Sequence, residues 1–329
     1  MTGVSYVGIV GRTRAAVEYV RTHRRLAIGL QTVIVVATVA FCVWAVRGEW
    51  SKAAPLLQHA SLGYVAAGFA AVAAYYLVFI LGWVRMLKAW DLDVPYRPAL
   101  QAEMVSMLAK YLPGGLWTPA ARTVALRKSA GVTETPTVLA SILVEAALSA
   151  ISGVVVFVVS LAWVRGVDAP LLPLVLFAVL CALLLHPRIF RPIGNRLLRP
   201  FGAGAVDPLP FPLMVGLLVF YCGTWLIGGF AVYFLLRSLG TNPGLETVPF
   251  LAGVSAVAAI VSVLAIFVPS GLGAREASMY GLLLAITTPG PALGTTLLTR
   301  LAITVVEVVL FGVGVVTWRS GRRRPSPPE

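Results

Sequence analysis

The chain has 329 residues, 59% of them hydrophobic and 12% charged, with a mean hydropathy of +0.89. That balance lies outside the range of soluble domains and specifies a polytopic membrane protein. Lys and Arg number 26 against 13 Asp and Glu, but these cations flank apolar runs and are not interleaved with polar groove-facing segments, which argues against nucleic acid and for cationic loops at anionic headgroups.

Residues 1–25 form a basic lead with Arg12, Arg14, Arg21, Arg24 and Arg25, and an apolar run from Leu26 to Val46 follows. The run is long enough to span and no small-residue cleavage site follows it, so it reads as a signal anchor. The next span covers Leu62–Val84, and 99–126 is an apolar region interrupted at its centre. Further spans are expected over Thr137–Val164, Pro170–Leu185 and Pro212–Leu236. An apolar hairpin then runs over 248–286 with a second interruption, and the last span is Pro291–Val316. The expected organisation is all-α: one membrane domain, 26–317, between the lead and a basic tail, 318–329. Cys42, Cys181 and Cys222 fall inside apolar runs and read as small buried hydrophobes, with neither metal nor cofactor expected.

Six full spans and two re-entrant hairpins put 20 of the 26 cations on one side, together with both termini. Only Arg47, Lys52, Arg165 and Arg237 face the other side, and that bias makes the termini cytoplasmic. The first hairpin then enters from the cytoplasm and the second from outside, so their tips approach each other. A seven- or eight-span count, with the hairpin arms crossing fully, fits the same pattern.

The two interruptions share an order of residues. Tyr111-Leu-Pro113-Gly114-Gly115-Leu and, 156 positions on, Phe267-Val-Pro269-Ser-Gly271-Leu both run aromatic, aliphatic, Pro, small, Gly, Leu. Pro removes a backbone donor and Gly favours non-helical backbone, so each copy ends one helix and begins another. Paired interruptions entering from opposite sides, in corresponding halves of an inverted repeat, point to a transporter's substrate site near the midplane.

Eight charges lie within the apolar regions: Glu103, Lys110, Arg122, Glu145, Arg275, Glu276, Arg300 and Glu307. Each costs roughly 2.5–3.5 kcal/mol at a helix centre unless paired or hydrated. Glu103 and Lys110 share a helical face, as do Arg300 and Glu307. Glu145 has no basic neighbour on its own helix and needs a partner such as Arg122 or Arg275. Four cations balance four anions, so an empty site is expected to be close to neutral. Helix starts after both breaks, with Arg122 and Arg275 within about two turns, suit a phosphate. The expected roles are Arg122 and Arg275 as the phosphate grip, assisted by Lys110. Tyr111 and Trp117 line the gate, and Glu103, Glu145, Glu276 and Glu307 position the cations or carry a coupling proton.

Lys110-Tyr-Leu-Pro-Gly-Gly-Leu-Trp117 and Pro269-Ser-Gly271-Leu-Gly273-Ala-Arg275-Glu276 resemble the two signature segments of the lysylphosphatidylglycerol synthase/flippase transmembrane family, a resemblance covering roughly residues 26–317. It implies a bacterial inner-membrane protein that moves lipids or lipid-linked sugar phosphates between leaflets. In bifunctional members an aminoacyl-transferase domain follows. Here the chain stops about a dozen residues after its last span, so synthase chemistry is not expected, and the substrate need not be a lysyl lipid.

The alternatives are a membrane-embedded glycosyl or phosphoryl transferase acting on a lipid-linked sugar, and a non-transporting scaffold. No nucleotide-binding loop, catalytic Ser/His set or metal constellation supports catalysis. His23, His59 and His186 sit at segment ends, and Asp91 and Asp93 belong to a turn closed by Pro95. Arg188, Arg191, Arg196 and Arg199 form a basic linker suited to anionic headgroups. Gly63, Gly68, Gly153, Gly228 and Gly229 read as helix-packing sites.

Overall fold

The computed structural model describes residues 55–111, 117–162, 164, 171–198, 207–265 and 268–321. The basic lead, the 26–46 run, Pro113, Gly114, Gly115 and the last eight residues of the tail lie outside the described residues. The described elements are all helical. They are α1 (Leu62–Ala89), α2 (Tyr96–Ser106), α3 (Trp117–Ala130), α4 (Thr135–Ser160), α5 (Leu171–Leu185), α6 (Pro187–Leu198), α7 (Phe211–Ser238), α8 (Val248–Leu264), α9 (Ala274–Leu283) and α10 (Pro289–Gly321). Short 3-10 turns cover Met107–Tyr111, Leu245–Thr247 and Pro269–Gly271.

Three long helices, α4, α7 and α8, carry a proline in their first turn, where its missing N–H has no intrahelical acceptor to lose. α1 ends where Asp91 takes a left-handed conformation, φ 59°. Along the outer faces of α4, α5 and α10 large side chains such as Val159, Leu176 and Val309 are exposed, which in a bilayer means contact with lipid and no hydration cost.

α7 is the axis of the bundle, packed against α1, α4, α8 and α10. Glycine sets its approach to several of them. A Cβ at Gly229 would lie 2.7 Å from the Val248 carbonyl oxygen and 2.8 Å from Ala252 on α8, and one at Gly68 on α1 would lie 2.6 Å from Leu235. On the next pair of helices Gly153 meets Ala256 and Gly253 meets Phe157, so α4 and α8 run antiparallel in close contact. This is small-residue packing, the usual way to bring apolar helices together where water supplies no hydrophobic drive. Gly63 differs from the expectation, because among the described residues nothing lies within 4 Å of where its Cβ would stand.

Two span assignments change. α5 is 15 residues long and bends by 75° into the helix beginning at Pro187. At about 1.5 Å per residue it covers roughly 22 Å, less than the ~30 Å hydrocarbon core. Conversely, Leu245–Leu264 forms a continuous helix of 20 residues with mean hydropathy 2.2, long enough to cross where a re-entrant arm was expected. By length and composition five described helices can cross a membrane, or six if the bent pair is one span. The basic linker is itself helical and amphipathic over Pro187–Leu198, with Phe190 turned into the core and Arg188 and Arg191 exposed.

Replacing Gly229 by valine should force α7 and α8 apart and cost about 1–3 kcal/mol, as overpacking does. Gly63→Ala should change stability little. Thermal unfolding of the two variants in one detergent compares them directly.

Candidate functional site

The helices on either side of the first interruption, α2 and α3, pack together as a hairpin. That hairpin carries Arg122 into the interior at 4% exposure. Its Nε stands 2.8 Å from Glu103 Oε2 and its Nη1 2.5 Å from Glu145 Oε2. The Glu103 contact is close but lacks the alignment of a hydrogen bond, so those two atoms and Arg122 Nη2 have no hydrogen-bond partner among the described residues. Beneath the guanidinium lies the Trp83 ring, 3.7 Å from its centre, held by Trp83 Nε1 donating to Ser141 Oγ at 2.8 Å. Tyr221 donates weakly to the free oxygen of Glu145 at 3.4 Å. Planar Arg suits this arrangement, because one group meets two carboxylates and an aromatic face at once.

The second interruption is fixed by backbone conformation. Ser270, Gly271 and Gly273 all have positive φ, and Ser262 on α8 donates to the Ser270 carbonyl at 2.9 Å. A Cβ on Gly271 would lie 2.3 Å from Ser262 Oγ, so glycine is needed there for room as well as for φ. The loop then opens α9, whose first turn holds Arg275 and Glu276. Glu276 accepts from the Gly273 N–H at 2.7 Å. This is half of a capping box, glycine having no side chain to supply the other half.

These interruptions meet: the turn at Met107–Tyr111 packs against the turn at Pro269–Gly271. One helix ties both together. On α10, Arg300 lies 3.3 Å from Glu276 of the second interruption, while Glu307, with no exposed side-chain surface, binds Lys110 of the first and accepts from Tyr76. Arg300 stands eleven residues into α10, about 16 Å along its axis, roughly half the ~30 Å hydrocarbon thickness.

Beside this junction is a cavity of about 150 Å3, lined by Tyr75 and Tyr76 of α1, Trp225 and Gly228 of α7, Ser255 of α8, Arg275 of α9 and Thr299 of α10. Arg275 has no ion-pair partner among the described residues. Thr299 and, one turn away, Thr295 are buried, and neither hydroxyl has a hydrogen-bond partner among the described residues.

Among the described residues Arg122 pairs with two carboxylates, Glu103 and Glu145, while Lys110 pairs with Glu307 and Arg300 with Glu276.

Of the residues singled out from sequence, Glu103, Arg122 and Glu145 form one cluster, and Lys110, Arg275, Glu276, Arg300 and Glu307 gather at the junction with Gly271 and Gly273. Trp117 opens α3 and is 54% exposed. Pro269 begins the second 3-10 turn and Tyr111 ends the first. Glu145 finds its partner in Arg122, one of the two arginines the sequence offered. Sequence reasoning passed over Tyr75, Tyr76, Trp225, Ser255 and Thr299, the cavity wall itself. The adjacent tyrosines and the Thr295-Thr296…Thr299 cluster within apolar spans were the signal, weaker than charge because a hydroxyl costs less to bury. No group of three or more metal-ligating side chains gathers among the described residues.

Arg122→Ala should destabilise the protein by about 3–5 kcal/mol, the cost of leaving buried charge unpaired. Arg122→Lys should recover only part of it, since an ammonium cannot fork between Glu103 and Glu145 over an aromatic ring. Tyr221→Phe should cost about 0.5–1.5 kcal/mol at most. Denaturation midpoints in detergent rank the three.

Comparison with curated proteins finds no match for this chain. The profile of the lysylphosphatidylglycerol synthase TM region matches residues 28–312, including both interruptions, the cavity wall and the Arg122 cluster. A match over that much of the sequence, on a helical membrane bundle whose paired interruptions meet at buried charges, makes this chain a member of the lysylphosphatidylglycerol synthase transmembrane-region family.

Proposed function

We propose that this protein moves an anionic lipid, a phospholipid or a polyprenyl-phosphate-linked lipid, between leaflets by alternating access, without changing it chemically. The observation that carries this reading is Arg275: an arginine in a polar and aromatic cavity between α1, α7, α8, α9 and α10, with no ion-pair partner among the described residues. A cation within the membrane region is costly without a counter-ion. A phosphate supplies the counter-charge and accepts from several guanidinium N–H groups at once.

Arg275 lies in the first turn of α9, so the helix dipole adds to its field. Arg275 and Arg300 both stand close enough to Lys110 to act on it electrostatically. A bound phosphate competes with Glu307 for Lys110 and with Glu276 for Arg300. Because Glu307 and Arg300 are both on α10, such an exchange of partners loosens the two interruptions together. Arg122, already held by two carboxylates, positions the first hairpin and takes no direct part in the grip.

The same reading has the two interruptions entering from opposite sides as halves of an inverted repeat, both termini cytoplasmic, and the protein in a bacterial inner membrane. The inside bias of the positive residues supports this orientation.

The test is leaflet accessibility of a labelled anionic lipid in proteoliposomes. Arg275→Ala should slow exchange between about tenfold and a hundredfold, the equivalent of a hydrogen bond to a charged group at ~1.5–3 kcal/mol. Arg275→Lys should be intermediate. A correctly folded Arg275→Ala protein with the wild-type rate rules out this site, and a chemically altered lipid recovered from the vesicles rules out simple transport.

A further inference from the structure

We propose that α6 lies flat in the headgroup layer at the end of the bundle where α1 stops and α7 starts. Its arginines bind anionic lipids there, at a surface separate from the Arg275 cavity and independently of lipid transport.

The edge of the hydrocarbon is marked along the chain. α5 runs back along α4, since Leu174 shares a core cluster with Phe157 and Leu185 shares one with Val144. Its outer side exposes Leu180, Leu183 and Leu184, and about one helical turn later the exposed side chain is Arg188. Outward leucine suits acyl chains and outward arginine does not, so the boundary falls between them. At that point the helix axis turns by 75°. Pro187 has no N–H to give, and the His186 carbonyl accepts from the Ile189 and Phe190 N–H groups at 2.8 Å, which starts α6 in its new direction. Beside Phe190 stands Trp90, whose indole donates to the Asp207 carbonyl at 2.7 Å. Such rings collect at the boundary between acyl chains and water.

Helical spacing sorts α6 into two faces. At about 100° per residue Arg188, Arg191 and Arg196 fall within an arc of about 140°, and Ile189, Phe190 and Ile193 lie on the other side. Phe190 packs against Trp90 and Ala140 and Ile189 is half-buried, but Ile193 is exposed. An uncovered isoleucine on one face and exposed arginines on the other fit a helix in an interface, its apolar side among acyl chains and its guanidinium forks among phosphates. Arg188 and Arg196 have no ion-pair partner among the described residues, and Arg191 has the exposed Asp207 at 3.1 Å, a pairing that water weakens and a lipid phosphate can replace. Lys88 in the last turn of α1 and Arg127 and Lys128 in the last turn of α3 are exposed at the same end, since Leu87 and Leu126 belong to the core cluster that receives Phe190. The combined positive field favours anionic over zwitterionic lipid. A soluble acidic protein on the arginines would leave Ile193 in water, so a lipid surface fits both faces better.

The test uses the full chain in vesicles, with Cys42, Cys181 and Cys222 replaced by alanine and a fluorophore attached through Ile193→Cys. Brominated phosphatidylglycerol or brominated phosphatidylcholine, diluted into plain phosphatidylcholine, quenches the probe according to how often it occupies the neighbouring lipid positions. The anionic lipid should reach half-quenching at a mole fraction about tenfold lower, and about 1 M salt should remove most of that preference. Glutamine at Arg188, Arg191 and Arg196 together should make the two lipids equal. Lysine at the same three positions should keep the preference, which separates loss of charge from loss of the helix. Arg275→Ala should also keep it; a preference lost there places the lipid in the cavity and overturns the proposal. Equal quenching in the parent protein, or a preference that survives the three glutamines, overturns it as well. So does quenching by aqueous iodide in place of the bromolipids, the outcome for a face held in water for a soluble partner.

Discussion

Buried charge is the constraint on which the bundle depends. Eight ionised side chains inside an apolar protein must each find compensation, and Arg122 takes more than its share by drawing in Glu103 and Glu145 together. At the junction of the interruptions Lys110 pairs with Glu307 of α10, Arg300 of α10 pairs with Glu276 of α9, and Arg275 faces the cavity.

Close helix packing makes the allocation possible. Glycines at the α1–α7, α7–α8 and α4–α8 contacts let backbones approach to distances at which any larger residue would clash, and the carboxylate of Glu145 on α4 thereby reaches the hairpin that carries Arg122. The second interruption is held just as firmly: Ser262 bonds the Ser270 carbonyl, and Gly271 fits against Ser262 in a conformation that L side chains resist. Arg275, in the first turn of α9, is consequently presented next to a fixed loop. α10 carries one ion pair to each interruption, Glu307 to Lys110 and Arg300 to Glu276.

Much of the site was legible along the chain because polar residues in apolar runs are conspicuous. Lys110, Arg122, Glu145, Arg275 and Glu307 needed only hydropathy to be noticed, and the Pro–Gly pattern at 111–116 and 267–272 marked where helices break. Helix lengths were less legible. The span ending at Leu185 proved to be 15 residues bent at the next proline, while 245–264 runs on as one helix, since a window of apolar residues does not say where a helix stops. The cavity wall escaped notice because Tyr75, Ser255 and Thr299 are inexpensive enough to bury that nothing in one dimension separates them from packing residues.

Sequence by itself determined that this is a helical membrane protein, where it is interrupted, and which ionisable groups it must shelter, because solvent class and backbone chemistry act on residues locally. Only the tertiary structure decided who pairs with whom. Glu103 and Lys110 share a face of one segment, yet they bond to Arg122 and Glu307, since a buried charge takes the partner that packing brings within reach, and Coulomb attraction in a low dielectric rewards the nearest group whatever its place in the chain.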